Sequence, residues 1–100
     1  MTIPEYVTLL RTTKYEQCFG VYTDGDKCCG MGLVIKQLDP ACQYPEESIA
    51  GKEFNKLDRD LRTIGIDVQR LNDGDHEGKG RLTFLQIADV VEAAYLRSIK

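Results

Sequence analysis

The hydrophobic period of this chain changes abruptly at Cys28-Cys29-Gly30, and few architectures accommodate such a change. Upstream, residues 16–24 (Glu-Gln-Cys-Phe-Gly-Val-Tyr-Thr-Asp) suit a strand. Alternation puts Phe19, Val21 and Thr23 on one face and Cys18, Gly20 and Tyr22 on the other. Asp24-Gly25-Asp26 supplies a turn, Asp-Gly being a strong hairpin signal, and Lys27-Cys28 begins a short return strand. Immediately beyond, Met31, Val34, Ile35 and Leu38 fall at i, i+3, i+4 and i+7, the spacing of a helix face. A hairpin therefore runs straight into a helix, and Gly30 and Gly32 let backbone pack closely at the junction.

The rest reads as helices. Thr2 and Glu5 have capping-box spacing, Pro4 suits a first turn, and Ile3, Val7 and Leu10 form a stripe. Residues 39–52 read as an irregular connection broken by Pro40, Pro45 and Gly51, with Tyr44, Ile49 and Ala50 as anchors to the core. A second amphipathic helix is expected from Asn55 to Thr63, with Leu57, Leu61 and Ile64 inward and Gly65 as its C-cap. A short helical turn follows from Asp67 to Leu71, then a polar loop over residues 72–80. Thr83 and Gln86 cap a last helix whose buried stripe is Phe84, Ile87, Val91 and Ala94. The expected fold is α+β: one small domain over residues 1–100, four or five short helices packed on one β-hairpin.

Composition excludes several classes. A 42% hydrophobic share with 9 Gly and 3 Pro excludes a disordered or collagenous chain. No apolar run approaches the roughly 20 residues of a membrane helix. The first residues lack the basic start and apolar core of a secretory signal, so a reducing, cytoplasmic setting is expected. A net charge of −3 opposes non-specific binding to nucleic acid.

The chemistry-bearing residues fall into three groups. Cys18, Cys28, Cys29 and Cys42 lack the close ligand pairs of a zinc site, and free cysteine commonly acts as a small buried hydrophobe. Neither a metal nor another cofactor is expected. Asp73-x-Asp75-x-Glu77-Gly78 imitates the opening of an EF-hand loop, but Phe84 stands where the closing carboxylate belongs. Cys29 falls at an expected helix N-terminus, which lowers a thiol pKa, and His76 is the sole candidate base, with Asp73 or Asp75 to orient it. That is the outline of a cysteine hydrolase or transferase, weighed against a hinge packed between strand and helix. The packed hinge is preferred, and no catalytic residue is assigned.

Two stretches resemble a known pattern. Leu10-Arg11-Thr12-Thr13-Lys14-Tyr15-Glu16-Gln17, Gly20, the Asp24-Gly25-Asp26 turn and Cys28-Cys29-Gly30-Met31-Gly32-Leu33 form the first. Leu71-Asn72-Asp73 with Thr83-Phe84-Leu85-Gln86-Ile87-Ala88-Asp89-Val90-Val91-Glu92 form the second. In this order they resemble the signatures of a broad family of small tailed-bacteriophage and prophage proteins. Thr12-Thr13 and Met31 depart from the family pattern, and the loop over 73–80 is longer and more acidic. The resemblance implies an origin in the cytoplasm of an infected bacterium and carries no established activity.

Three functions follow as expectations. The first is a non-enzymatic accessory protein that binds and inhibits a host macromolecule, such as a defence-system component, with Asp58, Asp60, Asp73, Asp75 and Glu77 as an acidic surface. The second is an oligomeric trap for a small nucleotide. It would gather Arg11, Lys14, Lys27 and Lys36 around the phosphates, with Tyr15 or Tyr22 stacking on the base. The third is the cysteine enzyme. Candidate binding residues are Tyr15, Gln17, Tyr22, Lys27, Asp73, Asp75 and Glu77. A host protein is the expected partner, with neither nucleic acid nor membrane bound directly.

Overall fold

Thr2 opens the first helix as its spacing predicts. Its hydroxyl accepts from the Glu5 N–H at 3.3 Å, and the Glu5 carboxylate accepts from the Thr2 N–H at 2.9 Å. The computed structural model describes residues 1–38, 49–75 and 77–99. Helix α1 covers Ile3–Thr12, α2 Gly32–Leu38, α3 Ile49–Thr63, α4 Val68–Asp73 and α5 Phe84–Ser98. Strands β1 (Glu16–Gln17), β2 (Thr23–Asp24) and β3 (Lys27–Cys28) form one small sheet. The class is α+β, with five helices around three strands among the described residues.

The sheet is where sequence and structure part. Its order is β1-β3-β2, with β3 central, parallel to β1 and antiparallel to β2. The expected strand over 16–24 is two short strands separated by a loop at residues 18–22. Two features break it. The Cys18 carbonyl accepts from the Asn72 side chain, and Gly20 takes φ +80°, a left-handed conformation that ends the extended run. The Asp24–Lys27 turn and the return strand lie as expected.

The helices follow their caps. Thr83 and Gln86 complete a second capping box at α5, at 3.2 and 2.9 Å. At the end of α3, the Ile66 N–H donates to Leu61 O at 2.9 Å and the Gly65 N–H to Arg62 O at 3.0 Å, the Schellman closure that Gly65 announces. Helix α3 begins at Ile49 rather than Asn55, so Gly51, expected to break helix, lies buried in its first turn. The roughly 1 kcal/mol a helical glycine costs is offset by the packing of Phe54, Leu57 and Leu61, all buried. Met31, just ahead of α2, and Leu33, Val34 and Ile35 within it are buried, while Leu38 is exposed. The expected anchor Tyr44 and the expected breakers Pro40 and Pro45, together with Cys42 and His76, lie outside the described residues.

Helices α1 and α5 share the largest helix–helix contact. Ile3, Tyr6, Val7 and Leu10 of α1 are buried, as are Phe84, Ile87, Ala88, Val91 and Ala94 of α5. Arg11 clamps this pair from outside. Its guanidinium reaches Glu92 at 2.9 and 3.2 Å and Asp89 at 2.9 Å. No described helix is long and apolar enough to cross a membrane.

Candidate functional site

Gln17, Cys18, Gly30 and Asp73 converge on one buried side chain, Asn72. It is fully buried and belongs to the last turn of α4, not to the polar loop that the sequence suggests. Its carbonyl oxygen accepts from the Gly30 N–H at 2.9 Å and from the Gln17 amide at 2.8 Å. Its amide donates to Cys18 O at 2.9 Å and to the Asp73 carboxylate at 2.8 Å. Gln17 also donates to Leu82 O at 2.7 Å, just ahead of α5. Asn72 and Gln17 together thus join β1, the strand–helix corner, α4 and the lead-in to α5.

The corner itself is closed. Both polar groups of the Gly30 backbone are taken by side chains, since the Tyr6 hydroxyl donates to Gly30 O at 2.5 Å. Tyr6 is fully buried, and burial, followed by the nearby Cys29 and Cys28, pushes its phenol well above the ordinary tyrosine value. Cys28 is fully buried and Cys29 nearly so. Burial raises the Cys28 thiol to about 12. At Cys29 two effects oppose. The Gly32 and Met31 N–H groups at the start of α2 favour the thiolate, but burial is stronger, and the thiol rises to about 11. The Cys29 sulfur accepts from the Gly32 N–H at 3.3 Å, as a weak cap for α2. Among the described residues every buried side-chain nitrogen and oxygen has a hydrogen-bond partner.

The candidate binding residues are dispersed. Gln17 and Asp73 meet at Asn72, and Asp73 also accepts from the Gly20 N–H at 3.1 Å. Asp75 turns into its own loop, where its carboxylate accepts from the Glu77 and Lys79 N–H groups at 2.8 and 2.9 Å. Glu77 pairs with Lys79. Tyr15 is half-buried against the core, and Tyr22 sets its ring edge-on to Phe54, 5.1 Å between centroids. Lys27 pairs with Glu16 at 3.6 Å, and Lys36 donates to Gly25 O at 2.6 Å. Arg11 is held on α5, so three of the four cations expected to gather around a phosphate, Arg11, Lys27 and Lys36, have separate partners. Among the described residues no three His, Cys, Asp or Glu side chains converge as metal ligands. Hollows lined by described residues accompany this frame. One is an open depression of about 410 Å³ beside Asp67, Arg70 and Asp75, and another is a groove of about 260 Å³ between α1 and α5.

A loop the sequence reading passed over completes the site. Residues 18–22 are tied at several backbone groups. Cys18 N donates to Cys28 O at 3.0 Å, Cys18 O accepts from Asn72, Gly20 N donates to Asp73, and Tyr22 O accepts from Cys29 N at 2.9 Å. This fixed loop holds Phe19 and Val21 outward at 40% and 51% exposure. The Arg81 guanidinium lies 4.3 Å over the Phe19 ring and donates to Asp73 O at 3.0 Å. The alternation of 18–22 sets Phe19 and Val21 on the side opposite Cys18 but does not say which side faces the core. What was missing was that no second layer covers the outward face. Comparison with protein-family models, with curated proteins and with solved structures finds no match.

Proposed function

We propose that this chain is a non-enzymatic accessory protein of the tailed-phage type that binds a host protein and blocks its action. One observation carries the reading: the interior polar network is spent on immobilising the 18–22 loop, and that loop presents Phe19 and Val21, with Arg81, to solvent. Aromatic and arginine side chains dominate binding energy at interfaces, and a contact loop ordered before binding loses little entropy on docking. Buried thiols with raised pKa values favour a scaffold over a nucleophile. The separate pairing of Arg11, Lys27 and Lys36 favours a protein target over a nucleotide.

The test is capture from bacterial lysate on the immobilised chain and on the double variant Phe19→Ser, Val21→Ser, followed by titration of the identified partner. Both side chains are exposed, so the variant keeps its melting temperature within a few degrees, consistent with roughly ±0.5 kcal/mol for such sites. Binding weakens at least about tenfold, because burying either apolar side chain contributes on the order of 1.5–3 kcal/mol. Equal capture by both proteins contradicts the reading.

A further inference from the structure

Helix α3 carries a basic crest on an acidic protein. Lys52, Lys56 and Arg59 stand at i, i+4 and i+7, opposite the buried Phe54, Leu57 and Leu61. All three are exposed, and among the described residues none has a carboxylate within ion-pair distance. The carboxylates of the same helix flank the crest. Glu53 is taken by the N-terminal amine and Asp58 by Arg62 at 3.0 Å, while the half-buried Asp60 stands one turn beyond Lys56 with no described cation within ion-pair distance. Lys56 lies close enough to Glu5 and Glu53 to help lower their carboxyl pKa values, yet both carboxylates bond elsewhere. Of the acidic surface expected on this helix, Asp58 is paired with Arg62 and Asp60 lies beside the crest, so the line farthest from the core carries the three cations.

Deepening the protein-binding reading, on which this rests, we infer that the Lys52–Lys56–Arg59 crest docks on an acidic surface of the partner protein. The crest runs about 10 Å along the helix, the reach of two or three carboxylates at helical spacing. Nucleic acid fits less well. Stable phosphate-driven binding draws on about 6–10 contacts, and three cations on a chain of net charge −3 fall short. A lipid surface fits less well again, because the apolar face that would enter a bilayer is buried in the core.

The probe is a helical peptide with Glu at i, i+4 and i+7, titrated into the isotope-labelled full chain. Amide shifts are expected along residues 52–63, weakening by about tenfold between low and moderately high salt. They should vanish in the triple variant Lys52→Glu, Lys56→Glu, Arg59→Glu, and in the neutral variant with Gln at the same positions should that one fold better. A peptide with Gln in place of Glu should give none. Absent or salt-independent shifts overturn the proposal, as does tighter binding of a DNA duplex or phosphatidylserine vesicles. Because the peptide replaces the natural partner, its failure is distinct from failure of lysate capture. The Phe19→Ser, Val21→Ser variant should still bind it.

Discussion

Replacing Asn72 with Ala should destabilise the protein by about 3 kcal/mol or more, which at 100 residues lowers the melting temperature by on the order of 12–20 °C. The substitution removes four hydrogen bonds and leaves the Gly30 N–H and the Cys18 carbonyl buried without their partner. Each stranded group costs roughly 1–3 kcal/mol. Asn72→Asp should be worse near neutral pH, although it conserves shape. It replaces the amide donor with a charged oxygen facing the Asp73 carboxylate and the Cys18 carbonyl. Burial and that neighbour would raise the folded-state pKa of the new carboxyl. Its penalty is then fully present above that raised pKa and shrinks as pH falls through it, because the neutral acid regains a donor. Urea unfolding of both variants across pH checks this. An Asn72→Asp protein as stable as wild type at pH 7 would remove the network from the account.

The second large effect is expected at Gly32. A methyl group there would sit 1.8 Å from the Tyr22 carbonyl oxygen and 2.6 Å from its carbon, both backbone atoms. Helix α2 and the end of the 18–22 loop touch with no room for a side chain, so Gly32→Ala must move one of them. Since Cys29 N is bonded to Tyr22 O, the shift would also open the corner. Overpacking of this kind costs about 1–3 kcal/mol when side chains can adjust, and a backbone clash belongs at or beyond the upper end. Gly25→Ala is the comparison: nothing lies within 4 Å of its added methyl, so it carries only the strain of its left-handed φ of +60°, about 1–2 kcal/mol, and should be the less damaged of the two. Equal melting temperatures for the two variants would contradict the close approach.

Local grammar was legible and convergence was not. Helices α1 and α5 follow directly from Thr2/Glu5 and Thr83/Gln86, because a capping box is written within four residues. Gly65 likewise announced the end of α3. Asn72 is different. Its partners Gln17, Cys18 and Gly30 lie 55, 54 and 42 residues away, and no periodicity encodes such a meeting. Between Leu71 and Asp73-Gly74 it looks like the start of a loop, yet burial has fixed it inside a helix. The strand over 16–24 erred for the same reason: a side chain from far along the chain claimed the Cys18 carbonyl. Alternation separated Phe19 and Val21 from Cys18 without saying which face is inward; Cys18 is buried and Phe19 and Val21 are exposed. The candidate site was half legible. Gln17 and Asp73 were singled out and do meet, but at a structural joint, while Phe19, Val21 and Arg81 drew no notice because exposed apolar residues in a strand pattern resemble core.

The account stands on the strand–helix corner being interior scaffold, and peptide-mapped alkylation of the native protein tests that most directly. Cys28 and Cys29, buried and with thiols raised to about 12 and about 11, should react no faster than the whole molecule unfolds, and denaturant should accelerate both in step with global unfolding. Rapid labelling of either cysteine in the folded protein would place a reactive thiol at the surface and contradict the account.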